Sequence, residues 1–161
     1  MPAPPFSATR LILFAATFAP LLLTAGPSAA AESAAAEFLN SGAVLGSDLP
    51  FSEAVRYGGV LYLSGQIGVE PHTLKLVPGG VRAEARQALA NIGAILAAHG
   101  RTPADVLKCT VMLADIAEWP VINEEWRTFF RKPFPARSAL GANGLALDAR
   151  VEIECIATAG R

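Results

Sequence analysis

The spacing of apolar side chains predicts two helices. Between residues 81 and 99, apolar residues recur at intervals of three and four: Ala85, Leu89, Ile92 and Leu96. This period gives a helix over Val81–His99 one continuous apolar stripe. Gly100 follows at the position where a glycine often ends a helix, and Thr102-Pro103 predicts one further short turn. A second helix is predicted over Pro120–Phe130, since prolines follow it closely.

Shorter apolar runs predict strands. Ser52–Tyr57 and Val60–Ser64 flank Gly58-Gly59, a pattern typical of a hairpin with a two-residue turn. Three further strands are predicted, over Lys108–Ala114, Ala136–Ala142 and Arg150–Ala157. In the last of these, apolar and charged residues alternate, which puts Glu152 and Glu154 on the same face of the sheet.

The order of these elements, β-β-α-β-α-β-β, predicts an α+β layer architecture. Two helices cover only one face of a sheet of five or six strands. The opposite face then needs another cover, which a second copy of the chain supplies most simply. We therefore expect a homo-oligomer.

The first 31 residues differ from the rest in composition. Arg10 precedes an apolar run from Leu11 to Ala25, and small residues with an Ala29-x-Ala31 pattern follow. These features are typical of a secretory signal peptide, and an uncleaved anchor is the alternative. We expect cleavage after Ala31, a flexible lead-in over 32–47, a folded domain over 48–161, and export to the periplasm or the medium without stable membrane insertion.

Charge and composition exclude several classes of protein. The formal charge is −1, which argues against a nucleic-acid binder that works by charge alone. Two histidines and two cysteines are too few for a zinc finger of the usual spacing, and no glycine-rich phosphate loop precedes a helix. We expect neither a metal nor nucleic acid as a partner.

Two charged residues are candidates for chemistry. Arg137 follows Pro133 and Pro135, which restrict the backbone, and its guanidinium can bind a carboxylate through two parallel hydrogen bonds. Glu152, near apolar neighbours and Glu154, can have a raised pKa and act as an acid or base. The alternatives are a surface arginine and a solvated face of the sheet.

Other residue types are weaker candidates. Cys109 and Cys155 alternate with apolar residues, so they are either buried small side chains or a disulfide pair. His72 falls in a loop and His99 at the end of a helix, where an imidazolium suits the helix dipole. The two tryptophans, Trp119 and Trp126, are expected in the core or in an interface.

An ordered series of short motifs resembles the RidA (YjgF) family of small trimeric proteins. The resemblance covers Leu49–Ala157, and its motifs follow in chain order. They are Gly59-Val60-Leu61-Tyr62-Leu63-Ser64-Gly65-Gln66, Ala85-Arg86-Gln87, Asn91-Ile92, Asp105-Val106-Leu107-Lys108, Val121-Ile122-Asn123, Phe129-Phe130, Pro135-Ala136-Arg137-Ser138, Val151-Glu152-Ile153-Glu154 and Ile156-Ala157.

The resemblance implies a chorismate-mutase-like subunit with a mixed sheet and two helices on one face. Three such subunits would pack their sheets into a central barrel, with a cleft at each interface. Family members of the deaminase type hydrolyse reactive enamines and imines, such as 2-aminoacrylate and 2-iminopropionate, to 2-keto acids and ammonia. They require no cofactor. We expect this activity outside the cytoplasm, on small imino or enamino acids.

The resemblance also implies roles for individual residues. Arg137 would grip the substrate carboxylate, and Glu152 would orient the attacking water. Asn123 and the Ser64-Gly65-Gln66 segment would line the cleft. Two cleft positions depart from the family pattern: Phe51 replaces a tyrosine, and Ala139 replaces a frequent cysteine.

Two other functions compete with the deaminase. One is a non-catalytic trimer that binds small carboxylates in the same cleft, and the other is a ribonuclease or chaperone-like role known in the family. A carboxylate binder needs only Arg137, so the presence of Glu152 as well favours the enzyme.

Overall fold

The computed structural model describes Met1, residues 35–46 and residues 48–160. The segment 2–34, which holds almost all of the expected signal peptide, lies outside the described residues. The described strands are Glu37–Leu39 (β1), Ala54–Tyr57 (β2), Val60–Ile67 (β3), Val106–Leu113 (β4), Ala136–Gly141 (β5) and Val151–Thr158 (β6). The helices are Gly80–Ala98 (α1) and Trp119–Phe129 (α2).

These strands form one mixed sheet with the order β1-β2-β3-β6-β4-β5. Neighbouring strands run antiparallel except for β4 and β5, which are parallel. Parallel neighbours require a crossover connection, and α2 supplies it. Arg137 thereby lies on the edge strand β5, while Glu152 lies on β6 near the middle of the sheet.

The core lies between one face of the sheet and the two helices. Its fully buried members come from both layers: Leu61, Ile92, Leu96, Val111, Leu113, Ile122, Val151 and Ile153. We call this side of the sheet the helix-covered face. Two helices against one face of a mixed sheet confirm the predicted α+β architecture. Buried residues alternate along β6, as the sequence indicates.

The other side, the open face, carries large apolar groups in contact with solvent. Phe38, Tyr62 and Leu140 lie on it with relative exposures of 71%, 45% and 46%. Their placement follows from the register, because Phe38 pairs with Val55, and Val55 pairs in turn with Tyr62. Exposed apolar area on one sheet face is typical of a surface that another chain covers.

The predicted turns and helix ends are confirmed. Gly58 and Gly59 have φ angles of 56° and 79°, as a two-residue hairpin turn requires, and Gly100 follows α1 with φ 69°. Thr102 and Asp105 form a reciprocal capping box around the short 3₁₀ turn Pro103–Asp105. The structure adds strand β1 inside the segment 32–47, and it extends β3 through an irregular register between Leu63 and Gln66.

Two further links lie within the layers, one in the sheet and one between the helices. Cys109 on β4 pairs in register with Cys155 on β6, and a disulfide joins them on the helix-covered face. Glu125 on α2 is almost fully buried and accepts hydrogen bonds from Arg82 and Arg86 on α1. None of the described helices is both long enough and apolar enough to cross a membrane.

Candidate functional site

Arg137 is held in one orientation by α2. Its Nη2 donates a 2.6 Å hydrogen bond to Oδ1 of Asn123. The guanidinium carbon lies 4.2 Å from the ring centroid of Trp119 and 4.6 Å from that of Trp126. Such stacking holds a planar cation without blocking the edge that makes hydrogen bonds. Nη1 is buried and has no hydrogen-bond partner among the described residues.

The sequence of α2 explains this arrangement. Trp119, Asn123 and Trp126 follow one another at intervals of four and three residues, so they lie on one side of the helix. Sequence reasoning placed the tryptophans in the core or in an interface, and Trp126 is indeed buried. It missed their contact with Arg137, although the helical spacing could have revealed it.

A cavity of about 630 Å³ opens beside Arg137, and Asn123 and Ala139 line it. The remaining lining is mostly apolar: Ile116, Trp119, Trp126, Phe134 and Pro135, with Arg127 as a further charged member. Burial, and then the neighbouring Arg127, lowers the pKa of Arg137 from its ordinary value. A desolvated guanidinium binds a carboxylate more strongly than an exposed one, because water competes less.

Glu152 lies in a second cavity, of about 380 Å³, with Phe51, Ser64 and Gly65. Its carboxylate rests against the backbone of Gly65, where a Cβ would collide with Glu152 Oε1. The absence of a side chain at residue 65 therefore lets the carboxylate approach the strand. Burial, and then the charge of Glu154, raises the pKa of Glu152. A carboxylate with a raised pKa is a stronger base once it is ionised.

Hydrogen bonds fix the wall of this second cavity. The Ser64 hydroxyl donates to the carbonyl of Ser52 at 2.6 Å, and the Ser64 N–H donates to the carbonyl of Glu53 at 3.0 Å. The Glu53 carboxylate is buried and binds Ser41 Oγ at 2.6 Å and His99 Nε2 at 2.9 Å. Phe51, two residues before Glu53, is thereby held beside the cavity. Within the subunit, Ser64 supports this wall.

Gln66 also supports the wall of the cavity that contains Glu152. It is buried, and its Nε2 donates to the carbonyl of Ser64 at 3.1 Å. His99, expected only to end a helix, is the partner of Glu53. No group of three or more His, Cys, Asp or Glu side chains in residues 35–46 and 48–160 is arranged to hold a metal ion.

Arg137 and Glu152 lie on opposite faces of the sheet. Cys109 aligns with Arg137, and it belongs to the helix-covered face. Met112 aligns with Glu152 and lies three residues further along the same strand, which puts it on the open face. The structure thus collects the predicted site residues into two half-sites, and neither half-site contains both charged groups.

The first is the arginine half-site, with Arg137, Asn123 and Ala139. The second is the glutamate half-site, with Glu152, Phe51, Ser64 and Gly65. Each has the polar and apolar lining of a small-molecule site. One mixed sheet with two helices on one face is the fold of a RidA-type protein.

Comparison with known families agrees with this class. The chain belongs to the family described as Endoribonuclease L-PSP, whose model matches residues 43–159. This finding confirms the family that the motifs indicate, since RidA proteins belong to it. The match includes every residue of both half-sites.

Individual relatives support the assignment. The chain is 47% identical over 111 residues to 2-iminobutanoate/2-iminopropanoate deaminase of Bos taurus, which covers 69% of this chain and 81% of the relative. A crystal structure of RidA from the Antarctic bacterium Psychrobacter sp. PAMC 21119 superposes with a TM-score of 0.71 at 34% identity, over 76% of this chain and 98% of that one. A structure of E. coli TdcF with bound serine gives 0.70 at 33% identity, with the same coverage.

Proposed function

We propose that the protein hydrolyses reactive 2-imino and 2-enamino acids to 2-keto acids and ammonia. It is a deaminase acting on imines, like the bovine relative, with which it shares nearly half of its aligned residues. The observation that carries the proposal is the presence of two partly buried charged groups in the same chain. Nη1 of Arg137 is buried without a hydrogen-bond partner among the described residues, and burial raises the pKa of Glu152. A carboxylate anchor and a general base are the two groups that the reaction needs.

The chemistry follows from these two groups. Arg137 fixes the substrate carboxylate, and Asn123 and the two indoles keep the guanidinium in place. The imine carbon is already electrophilic, so hydrolysis depends mainly on positioning. Ionised Glu152 orients a water molecule and accepts its proton as the oxygen attacks C2. The protonated Glu152 then gives this proton to the nitrogen of the tetrahedral intermediate. The hydroxyl group loses its proton to Glu152 as the C–N bond breaks, so ammonia leaves and the new C=O bond completes the keto acid.

Assembly of a complete site requires a second copy of the chain. Because Arg137 and Glu152 lie on opposite faces, we assign Arg137 of one subunit and Glu152 of its neighbour to one cleft. The open face, with exposed Phe38, Tyr62 and Leu140, is the surface that another sheet would cover. We propose a homotrimer whose sheets form a central barrel, and sedimentation measures its mass.

We also propose that the protein acts outside the cytoplasm. The pattern of Arg10, the apolar run Leu11–Ala25 and Ala29-x-Ala31 supports export. A disulfide between Cys109 and Cys155 is the kind of bond that persists in oxidising compartments. Intact-mass analysis of protein recovered from the cell envelope should find a chain that begins near Glu32. A full-length chain found only in the cytoplasm would overturn this proposal.

Subunit mixing tests the shared site. Arg137→Ala and Glu152→Gln variants should each be inactive as pure assemblies, because every cleft lacks one group. Random mixing in equal amounts restores both groups in about one quarter of the clefts, so about one quarter of the wild-type rate should return. A site contained within one subunit predicts no recovery. The assay couples an amino-acid oxidase to detection of keto acid above the spontaneous background.

The competing function is a carboxylate-binding trimer without catalysis. It predicts that wild type and Glu152→Gln release keto acid at the same negligible rate, while both bind small carboxylates. Turnover by wild type that Glu152→Gln loses would exclude it.

A further inference from the structure

The cavity around Arg137 contains a second cation. Arg127 lies four residues after Asn123 on α2, so the two residues share one side of the helix, with a rise of about 6 Å between them. Arg127 lines the same cavity as Arg137 and is exposed to solvent there. The guanidinium groups of Arg127 and Arg137 therefore line one cavity.

The charge in this cavity is unbalanced. Within one chain, its described lining includes two arginines and no aspartate or glutamate, and the proposed assembly would add only Glu152 of the neighbouring subunit. Of the acids next to the lining residues on the chain, Glu118 binds Arg150 and Glu124 binds Arg82, while the Asp115 carboxylate accepts a hydrogen bond from the Ala117 N–H. The proximity of Arg127 contributes, after burial, to the lowered pKa of Arg137. Such a cavity favours a ligand that carries more than one negative charge.

The volume of the cavity also exceeds what a three-carbon imino acid fills. At about 630 Å³ it lies within the usual range of ~300–1,000 Å³ for pockets that hold drug-sized ligands. In the single chain, this volume leaves room for a longer side chain beside the carboxylate that Arg137 is proposed to hold. Arg127 is positioned to meet the end of such a side chain.

We propose that Arg127 is a specificity-determining residue that binds a second carboxylate on the side chain of the substrate. The preferred substrates are then imines of acidic amino acids, and this inference rests on the proposed function. Arg137 makes the paired contact to the α-carboxylate, while Arg127 interacts from the exposed side of the same cavity. The hydrolysis itself is unchanged, with water adding to C2 and ammonia leaving.

Binding and turnover are measured together with matched variants. Calorimetric titration compares 2-oxoglutarate with 2-oxobutanoate as ligands of the assembled protein. Hydrolysis is then followed for imines that amino-acid oxidases form from D-glutamate and from D-alanine. Arg127→Gln should lower the dicarboxylate-to-monocarboxylate ratio about 2- to 5-fold, the effect expected of an exposed cation. Arg131→Gln, which removes the same charge outside this cavity, should leave the ratio unchanged.

The dependence on salt gives a second readout. Raising the ionic strength should reduce the dicarboxylate-to-monocarboxylate ratio of the wild type, because the Arg127 contact is exposed to solvent. The same ratio of Arg127→Gln should change less. If hydrolysis continues but wild type and Arg127→Gln have equal dicarboxylate-to-monocarboxylate ratios, the inference is wrong. A wild-type protein that binds the dicarboxylate preferentially but hydrolyses no imine overturns the proposed function, and Arg127 then still selects the ligand.

Discussion

Nη2 of Arg137 donates to Oδ1 of Asn123 at 2.6 Å, and this bond sets the direction of the whole guanidinium group. The guanidinium carbon lies 4.2 Å and 4.6 Å from the centroids of the two indole rings, and Nη1 is buried without a partner among the described residues. Arg137, the proposed anchor for the substrate, is therefore preorganised in the free protein, which reduces the entropy lost on binding.

Replacement of Arg137 should produce a binding defect. Arg137→Ala removes two charged hydrogen bonds worth about 1.5–3 kcal/mol each, so kcat/KM should fall by about 10² or more. Arg137→Lys should recover little, because an ammonium cannot make the planar pair of contacts. Steady-state kinetics measure the change. Arg56→Ala, which breaks an exposed ion pair with Glu37, is the control. Near-normal kinetics of Arg137→Ala would remove Arg137 from the site.

Glu152→Gln should instead produce a rate defect. The amide still hydrogen-bonds to water but cannot accept its proton, and loss of a general base typically costs about 10²–10⁴-fold in kcat. Affinity for keto acids should persist, which distinguishes this variant from Arg137→Ala. If kcat stays unchanged, Glu152 is only a structural residue of β6.

The raised pKa of Glu152 should appear in the pH profile. Catalysis needs the ionised form, so kcat/KM should rise with pH through a pKa above the ordinary glutamate range. Glu154→Gln should move this limb to lower pH, since the Glu154 charge contributes to the shift after burial. An acid limb at the ordinary glutamate pKa, unaffected by Glu154→Gln, would contradict the assignment of Glu152 as the base.

The raised pKa of Glu152 also makes the stability of the fold depend on pH in a definite direction. The folded pKa of Glu152 lies above its unfolded value, so the folded state binds protons more tightly and wild type loses stability as pH rises between the two values. Glu152→Gln avoids this loss. As pH rises from the unfolded to the folded pKa of Glu152, the unfolding midpoint of Glu152→Gln should therefore increase relative to that of the wild type.

Gly65→Ala should disturb catalysis more than folding. The new methyl group would collide with the end of the Glu152 side chain, which can swing away, so the carboxylate leaves its position. We expect kcat to fall while the unfolding midpoint changes little. Gly46→Ala is the matched control, because a Cβ there meets no atom within 4 Å. Retention of full activity in Gly65→Ala would show that the contact with Gly65 does not position the base.

The disulfide should stabilise the fold. Cys109 and Cys155 are 46 residues apart in sequence, and closing such a loop is worth about 4 kcal/mol in the chain-entropy model. Denaturant unfolding with reductant should therefore require less denaturant than unfolding without it. A Cys109→Ala/Cys155→Ala variant should not respond to reductant. Two titratable thiols in the unreduced, unfolded chain would show that the bond does not form.

Local pattern predicted most of the fold. The apolar stripe of α1, the Gly58-Gly59 turn and the alternation along β6 each specify their element through neighbouring residues. β1 was not predicted because its three residues lie in a segment of small residues and gain their order from pairing with β2. Long-range pairing of this kind leaves little trace in a short stretch of sequence.

The residues proposed for the site could be named from sequence motifs, but their distribution over the two faces of the sheet could not. The motifs named Arg137, Asn123, Glu152 and Gly65, yet the side of the sheet that Arg137 occupies depends on the parallel register of β5 against β4. That register follows from the crossover through α2. The link between Glu53 and His99 was missed for the same reason, since 46 residues separate the two side chains.

The separation of Arg137 and Glu152 across the sheet has a consequence for how the activity begins. Under the proposed assembly, a single newly folded subunit holds its anchor and its base in separate cavities, and we expect it to be catalytically silent. Activity per chain then depends on protein concentration, because subunits must meet before any cleft is complete. Dilution should lower the activity per chain, and a higher protein concentration should raise it, without a separate regulator.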